Sequence, residues 1–114
     1  YWMSAPSLLK KWQDEVFTFL SKTPAVAGKP LTVVTTTGSE YEAYRSGGRN
    51  RFTTDELLRP YQVNAIHSGM SWQTPIVVYG MGTADAGKNI AEGANLYKQR
   101  VEMLIGNSNA GNNW

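Results

Sequence analysis

Cysteine is absent from the sequence, and histidine occurs once, at His67. The first absence excludes disulfides, thiolate chemistry and cysteine-ligated metal. The second excludes a multi-histidine metal site within one chain. An excess of one charge sign is also lacking, since eleven Lys and Arg against nine Asp and Glu leave +2. The basic residues are scattered and do not form the cluster that binds nucleic acid or a membrane surface. No apolar run approaches the roughly 20 residues of a membrane span, and no signal peptide stands at the front. These exclusions fit a cytoplasmic protein whose chemistry, if enzymatic, relies on an organic cofactor. At 114 residues the chain holds one domain at most, since domains run to about 100–150 residues. The first residue is Tyr1, which suggests a processed product or a piece of a longer chain.

What is present alternates between helix and strand patterns. Residues 6–20 read as an amphipathic helix, with Leu8, Leu9, Trp12, Val16, Phe19 and Leu20 at helical spacing. Pro6 suits its first turn. Leu31 to Thr37 is rich in β-branched residues and reads as a strand covered on both faces. Residues 38–52 read as a loop. Thr53 and Glu56 have the spacing of a capping box, and Leu57, Leu58, Tyr61, Ala65 and Ile66 form the buried face of the helix that follows. Pro60 should kink or restart that helix, and Gly69 closes it. Pro75 to Gly80 reads as a second strand. Thr83 or Asp85 caps a last helix with the stripe Ile90, Ala94, Tyr97, Val101 and Leu104, which Gly87 and Gly93 weaken. The Asn- and Gly-rich tail, 106–114, is expected to be disordered, which leaves 1–105 as the domain. This order belongs to α/β proteins with a parallel sheet. Two strands are too few for a sheet with helices on both faces, so the chain looks like the C-terminal part of a doubly wound domain.

In an open parallel sheet, ligands bind beyond the carboxyl ends of the strands. Tyr1-Trp2-Met3, Thr35-Thr36-Thr37-Gly38-Ser39 and Gly80-Met81-Gly82 fall there. Threonine hydroxyls and free backbone N–H groups can bond the edge of a flat heterocycle, Gly38 lets the backbone approach it, and Trp2 offers a wall. The same threonines also suit a strand, and the aromatics also suit a core. Tyr44 could donate a proton or simply pack. His67 lies away from the strand ends and is not assigned to catalysis. Gly80-Met81-Gly82 lacks the spacing of a dinucleotide fingerprint and reads as an ordinary strand-to-helix turn.

Several segments taken together resemble one family. Tyr1-Trp2-Met3-Ser4-Ala5-Pro6-Ser7-Leu8-Leu9-Lys10-Lys11-Trp12 is similar to the YW-x-x-x-P-x-x-LK-x-W segment of flavodoxin-like NAD(P)H–quinone oxidoreductases. That group includes general stress proteins, drug-activity modulators and ancillary subunits of potassium-efflux systems. Thr36-Thr37-Gly38-Ser39 resembles its TTGG flavin loop. Tyr44 and Gly47-Gly48-Arg49-Asn50 resemble its Y-x-x-GG-x-N continuation, and Glu56-Leu57-Leu58-Arg59-Pro60, Gly69-Met70 and Pro75 follow in order.

The resemblance implies a flavodoxin-like doubly wound parallel sheet, incomplete because the first strands and the phosphate-binding loop precede Tyr1 in the family. It implies a flavoprotein that binds FAD or FMN, takes hydride from NAD(P)H and passes it to a quinone or similar acceptor. Tyr1, Trp2, Met3, Thr36, Thr37, Gly38 and Ser39 would hold the flavin ring. Tyr44 would stand near the reacting face. A homodimer with the site at the subunit interface is implied, without nucleic acid or membrane insertion. Ser39 departs from the family's Gly, and the link from Leu20 to Lys29 is short and lacks an aromatic element. Without the phosphate loop, this chain alone is expected to bind flavin weakly or not at all. Two further readings are a nucleotide-binding regulatory subunit of a potassium-efflux transporter and a catalytically inert fragment.

Overall fold

The computed structural model describes residues 1–109. The first helical segment is continuous but changes pitch. Helix α1 (Ser7–Trp12) passes into a π-helical stretch, Gln13–Phe17, and then into α2 (Thr18–Leu20). Thr18 Oγ1 donates to the Gln13 carbonyl at 2.9 Å inside the wide turn. The apolar stripe forms as the periodicity predicts, but the described chain leaves it open. Leu8, Leu9, Trp12, Val16, Phe19 and Leu20 are all exposed, Phe19 at 68%. The turn-facing positions are Gln13 and Phe17, and Phe17 stacks on Trp12 at 5.7 Å.

The predicted first strand is split into β1 (Pro30–Leu31) and β2 (Val34–Thr36). Two further strands, β3 (Ser71–Trp72) and β4 (Ile76–Val78), run parallel to them. The sequence signal missed β3, which is too short to show a period. The offset between partners is 41 residues where Pro30 faces Ser71 and 42 where Val34 faces Ile76. One extra residue therefore sits in the second strand, which makes a bulge at Thr74-Pro75. Proline has no N–H to give the ladder, so the break falls there. Arg100 Nη1 donates to the bulge carbonyl of Thr74 at 2.6 Å. Pairing resumes at once, with Ile76 N–H on the Val33 carbonyl at 2.9 Å. The α/β class with parallel strands is borne out. Full cover of the first strand is not, because Val34 and Thr36 are exposed.

The crossover between the strands is helical, as parallel connections require. Helix α3 (Thr54–Leu57) opens on the predicted capping box: Thr53 Oγ1 accepts from Glu56 N–H at 3.2 Å, and Glu56 reaches back to Thr53 N–H at 3.4 Å. The helix restarts as α4 (Arg59–His67) with Pro60 in its first turn, where a missing N–H costs nothing. Leu58 and Ala65 are buried and Leu57 and Tyr61 partly so, but Ile66 is exposed. Helix α5 (Ala86–Asn109) starts after a turn that Thr83 organises. Thr83 Oγ1 donates to the Gly80 carbonyl at 2.8 Å and accepts from Asp85 N–H at 3.3 Å. The helix extends into the segment expected to be disordered, so 106–109 are helical. The rest of that tail, 110–114, lies outside the described residues.

Of the predicted stripe of helix α5, only Val101 and Leu104 are half-buried, while Ile90, Ala94 and Tyr97 are exposed. It meets β4 at Gly93, where a Cβ would overlap the Val78 side chain. The glycine that weakens the helix is the residue that lets it approach the sheet. The core is correspondingly small: Ala43, Tyr44, Leu58, Ala65, Ile76 and Val78 are its buried apolar members among the described residues.

A candidate flavin-ring cleft

The loop after β2 is built by its own short-range bonds and by a clamp from the end of β4. Thr37 N–H continues the ladder to the Val78 carbonyl at 2.9 Å, and Thr37 Oγ1 donates to the Ser39 carbonyl at 2.8 Å. Three amides of the Gly80-Met81-Gly82 turn then cross to the loop. Gly80 N–H reaches the Ser39 carbonyl at 2.8 Å, Met81 N–H the Thr37 carbonyl at 2.9 Å, and Gly82 N–H the Gly38 carbonyl at 2.8 Å. Gly80 has φ +77, in the region open to glycine, and a Cβ on Gly82 would press on the Gly38 carbonyl at 3.1 Å. The segment read as an ordinary turn is therefore the buttress of the threonine–glycine loop. Its sequence signal was the pair of glycines, which a fingerprint search discards when the spacing is wrong.

The N–H groups of Gly38 and Ser39 have no hydrogen-bond partner among the described residues. They are outward-facing donors on a loop whose carbonyls are tied down. Ser39 itself is turned aside: its Oγ accepts from Arg49 Nη2 at 2.7 Å, and Arg49 also pairs with Glu40 at 3.6 Å. A side chain on Gly38 would meet nothing within 4 Å. Gly48 has the opposite surroundings, since a Cβ there would collide with the backbone carbonyls of Glu42 and Ala43. It allows the loop to fold tightly behind Tyr44, with Asn50 N–H on the Ala43 carbonyl at 3.0 Å.

At the front, Tyr1 to Ser4 form a tight turn closed by Ser4 N–H on the Tyr1 carbonyl at 3.1 Å. Trp2 and Met3 occupy φ +48 and +61, left-handed values that cost a non-glycine residue about 1–2 kcal/mol each. The turn projects Trp2 almost wholly into solvent, at 98% exposure.

These pieces converge on one cleft of about 290 Å³. Tyr1, Trp2, Met3, Thr36, Thr37, Gly38 and Tyr44 all line it, joined by Ser4, Thr35, Thr54, Leu57, Leu58 and Tyr61. Ser39 is the one sequence-predicted site residue outside the lining. Leu57, Leu58 and Tyr61 were read only as core positions, and Thr54 was assigned no role; the capping box that places α3's first turn at the cleft was visible, but nothing marked those residues as ligand-facing. No charged side chain lines the cleft. Its volume lies at the low end of the ~300–1,000 Å³ typical of small-molecule sites. That is room for a flat ring system, with backbone donors at one edge and aromatics around it.

Tyr44 forms the back wall and is 7% exposed. Its ring lies 5.8 Å from that of Tyr79, which also meets Tyr41 edge-on at 5.2 Å. The Tyr79 hydroxyl shares a 2.7 Å hydrogen bond with Thr54 Oγ1. Burial pushes the Tyr79 phenol pKa above its ordinary value, and the Thr54 hydrogen bond offsets part of that rise. Behind this wall is a larger cleft of about 720 Å³ that Tyr44 and Thr54 also border. His67 ends α4 outside both clefts. Among the described residues, no group of His, Asp or Glu could hold a metal ion, and no helix is long and apolar enough to cross a membrane.

Known proteins share these features. Residues 1–101 match the model of a family described as having a flavodoxin-like fold. General stress protein 14 of Bacillus subtilis (strain 168) is 41% identical over 107 residues, which is 90% of this chain and 61% of that protein. A crystal structure of an NADPH-quinone reductase from P. pentosaceus superposes with a TM-score of 0.70 at 31% identity, over 82% of this chain and 59% of that one. A crystal structure of a general stress protein 14 from Treponema denticola, in complex with FMN, superposes with a TM-score of 0.78 at 28% identity. That match covers 91% of this chain and 61% of the other. The chain thus spans about three fifths of the length of each of these three relatives. With the family model matched over residues 1–101 and the strands paired in parallel, the chain belongs to the flavodoxin-like fold family.

Proposed function

We propose that the 290 Å³ cleft takes the isoalloxazine ring of FMN, and that the chain is the ring-binding part of an NAD(P)H oxidoreductase acting on quinones or similar acceptors. The observation that carries this reading is the convergence of three separate segments, 1–4, 35–38 and Tyr44, on one uncharged cleft. The FMN complex of the Treponema relative and the quinone reductase from P. pentosaceus support the ligand and the acceptor class.

Bound there, the flavin supplies two-electron transfer between nicotinamide and acceptor. The chain's part is to bind and orient. The Gly38 N–H, which has no protein partner among the described residues and belongs to the cleft lining, would donate to an acceptor on the ring edge, as preorganised amides do at developing negative charge. Tyr44 Oη, which has no protein partner among the described residues, donates toward the same ring. Trp2 and Met3, exposed at the rim of the cleft, would offer side chains against the edge of a bound ring. Ser39 stands outside the lining, and its hydroxyl holds Arg49. FAD fits the cleft equally well, because the described lining meets only the ring.

A homodimer is part of the reading. The open stripe of Leu8, Trp12, Val16 and Phe19 supports it, since an apolar face of this kind calls for cover. Because this chain alone is expected to bind flavin weakly, steady-state NADPH oxidation with a quinone is followed across rising FMN concentrations, high enough to load the cleft, to test the function. Turnover well above that of free FMN is expected; a rate equal to free FMN refutes it.

A further inference from the structure

Tyr79 is not in the cleft lining, yet it touches the residue that forms the cleft's back wall. It is the first residue after β4, and its carbonyl accepts from Asn89 Nδ2 of α5 at 2.8 Å. Its ring sits between two others, edge-on to Tyr41 and tilted by 53° against Tyr44. Its hydroxyl meets Thr54 Oγ1, on the first residue of α3, at 2.7 Å. Thr54 is buried and Tyr79 half-buried, and this part-buried bond joins the end of a strand to the start of a helix. Tyr44 lies between those two elements. Its hydroxyl has no protein partner among the described residues, so no side-chain hydrogen bond of its own fixes the ring. Packing against Tyr79 does that.

We propose that Tyr79, locked by its hydroxyl bond to Thr54, is a positioning residue that sets the Tyr44 ring against a bound flavin ring. The inference rests on the reading of the cleft as a flavin-ring site. It assigns a role to a side chain that faces the neighbouring 720 Å³ cleft and never meets the ligand. The bond works through geometry: without it, Tyr79 regains rotational freedom, and the surface it offers Tyr44 moves. Neutral phenol is the form that can both donate and accept here, and any phenol whose pKa is at or above the ordinary value near 10 holds that form across the physiological range.

The test uses lumiflavin, which carries the isoalloxazine ring and no phosphate. Binding is followed by fluorescence quenching and by the circular dichroism that the site induces in the visible flavin bands. Tyr79→Phe and Thr54→Val each remove one partner of the bond; Thr54→Ser keeps the hydroxyl. Both deletions are expected to weaken lumiflavin binding about three- to tenfold, the worth of one part-buried hydrogen bond. Both should change the induced bands in the same way, with Thr54→Ser close to the unsubstituted chain and the double variant no worse than either single one. Unchanged affinity and unchanged bands, even with a lowered melting temperature, would show a purely structural pair and overturn the inference. Effects that multiply in the double variant would overturn it as well. Because Thr54 itself lines the cleft, its variants count only beside a Tyr79 variant; should Tyr79→Phe fail to fold, Tyr79→Leu takes its place, with the same loss of affinity expected and unchanged binding overturning the inference. Absence of any lumiflavin binding by the unsubstituted chain would remove the ring-site reading itself, a result distinct from binding that ignores Tyr79.

Discussion

Replacing Gly87 and Gly93 by alanine puts the same methyl group on the same helix with opposite expected outcomes. Both glycines lower the intrinsic stability of α5, by up to about 1 kcal/mol each relative to alanine. At Gly87 nothing lies within 4 Å of the added Cβ, so Gly87→Ala should recover part of that amount. At Gly93 the Cβ would overlap Val78 Cγ2, and Val78 is buried and held in the β2–β4 ladder. Forcing an extra carbon into a packed contact costs about 1–3 kcal/mol. Set against the propensity gain, the net effect of Gly93→Ala is a loss of up to about 2 kcal/mol. For a domain of this size each kcal/mol moves the melting temperature by about 4–8 °C. Urea unfolding followed by far-ultraviolet circular dichroism, together with thermal melts, reads both variants. Adding Val78→Ala to Gly93→Ala removes the overlapping methyls, and the cycle should show a favourable coupling of about 0.5–3 kcal/mol. Stabilisation by both glycine replacements, or additivity with Val78→Ala, would refute the close approach of α5 to β4.

Two other expectations follow from local chemistry. Thr53→Ala removes the cap acceptor of α3 and should cost about 1 kcal/mol, seen as a lower urea midpoint with an unchanged slope. Tyr79 has a folded pKa raised above the unfolded value near 10, so its proton is held more tightly in the native state. The stability it contributes is complete below the unfolded pKa and is lost as pH rises through the folded one. Unfolding free energy should therefore fall more steeply above pH 10 in the unsubstituted chain than in Tyr79→Phe. Identical slopes in that range would contradict the raised pKa.

The local start and stop signals were legible in the residues because their chemistry is short-range. Thr53 and Glu56 form the reciprocal cap, Pro60 restarts the helix, and Gly38 ends the strand pairing region, all within a few residues of their causes. The strand-end rule of open parallel sheets brought Tyr1, Trp2 and Met3 together with Thr36, Thr37 and Gly38, but the place of Tyr44 beside them was readable only through the family resemblance. Periodicity identified which face of a helix is apolar but not what lies against it. The stripes around Trp12 and Ile90 face outward in the described chain for that reason. Gly93, the Gly80–Gly82 clamp and the Thr74-Pro75 bulge depend on contacts between residues distant in sequence, which a local reading cannot weigh. Ser39 illustrates the same limit: its place in the loop was recognisable, but its hydroxyl is directed by Arg49, ten residues on.

The central claim is that the cleft before Gly38 holds a flavin ring, and a lumiflavin titration of the unsubstituted chain beside Gly38→Leu tests it most directly. A Cβ at Gly38 meets nothing within 4 Å, so the leucine is expected to leave the protein folded, which a thermal melt checks, while filling the approach to the Gly38 amide. The account predicts saturable, one-to-one quenching of lumiflavin by the unsubstituted chain and its loss in Gly38→Leu. No quenching by the unsubstituted chain, or equal quenching by both folded proteins, would contradict it.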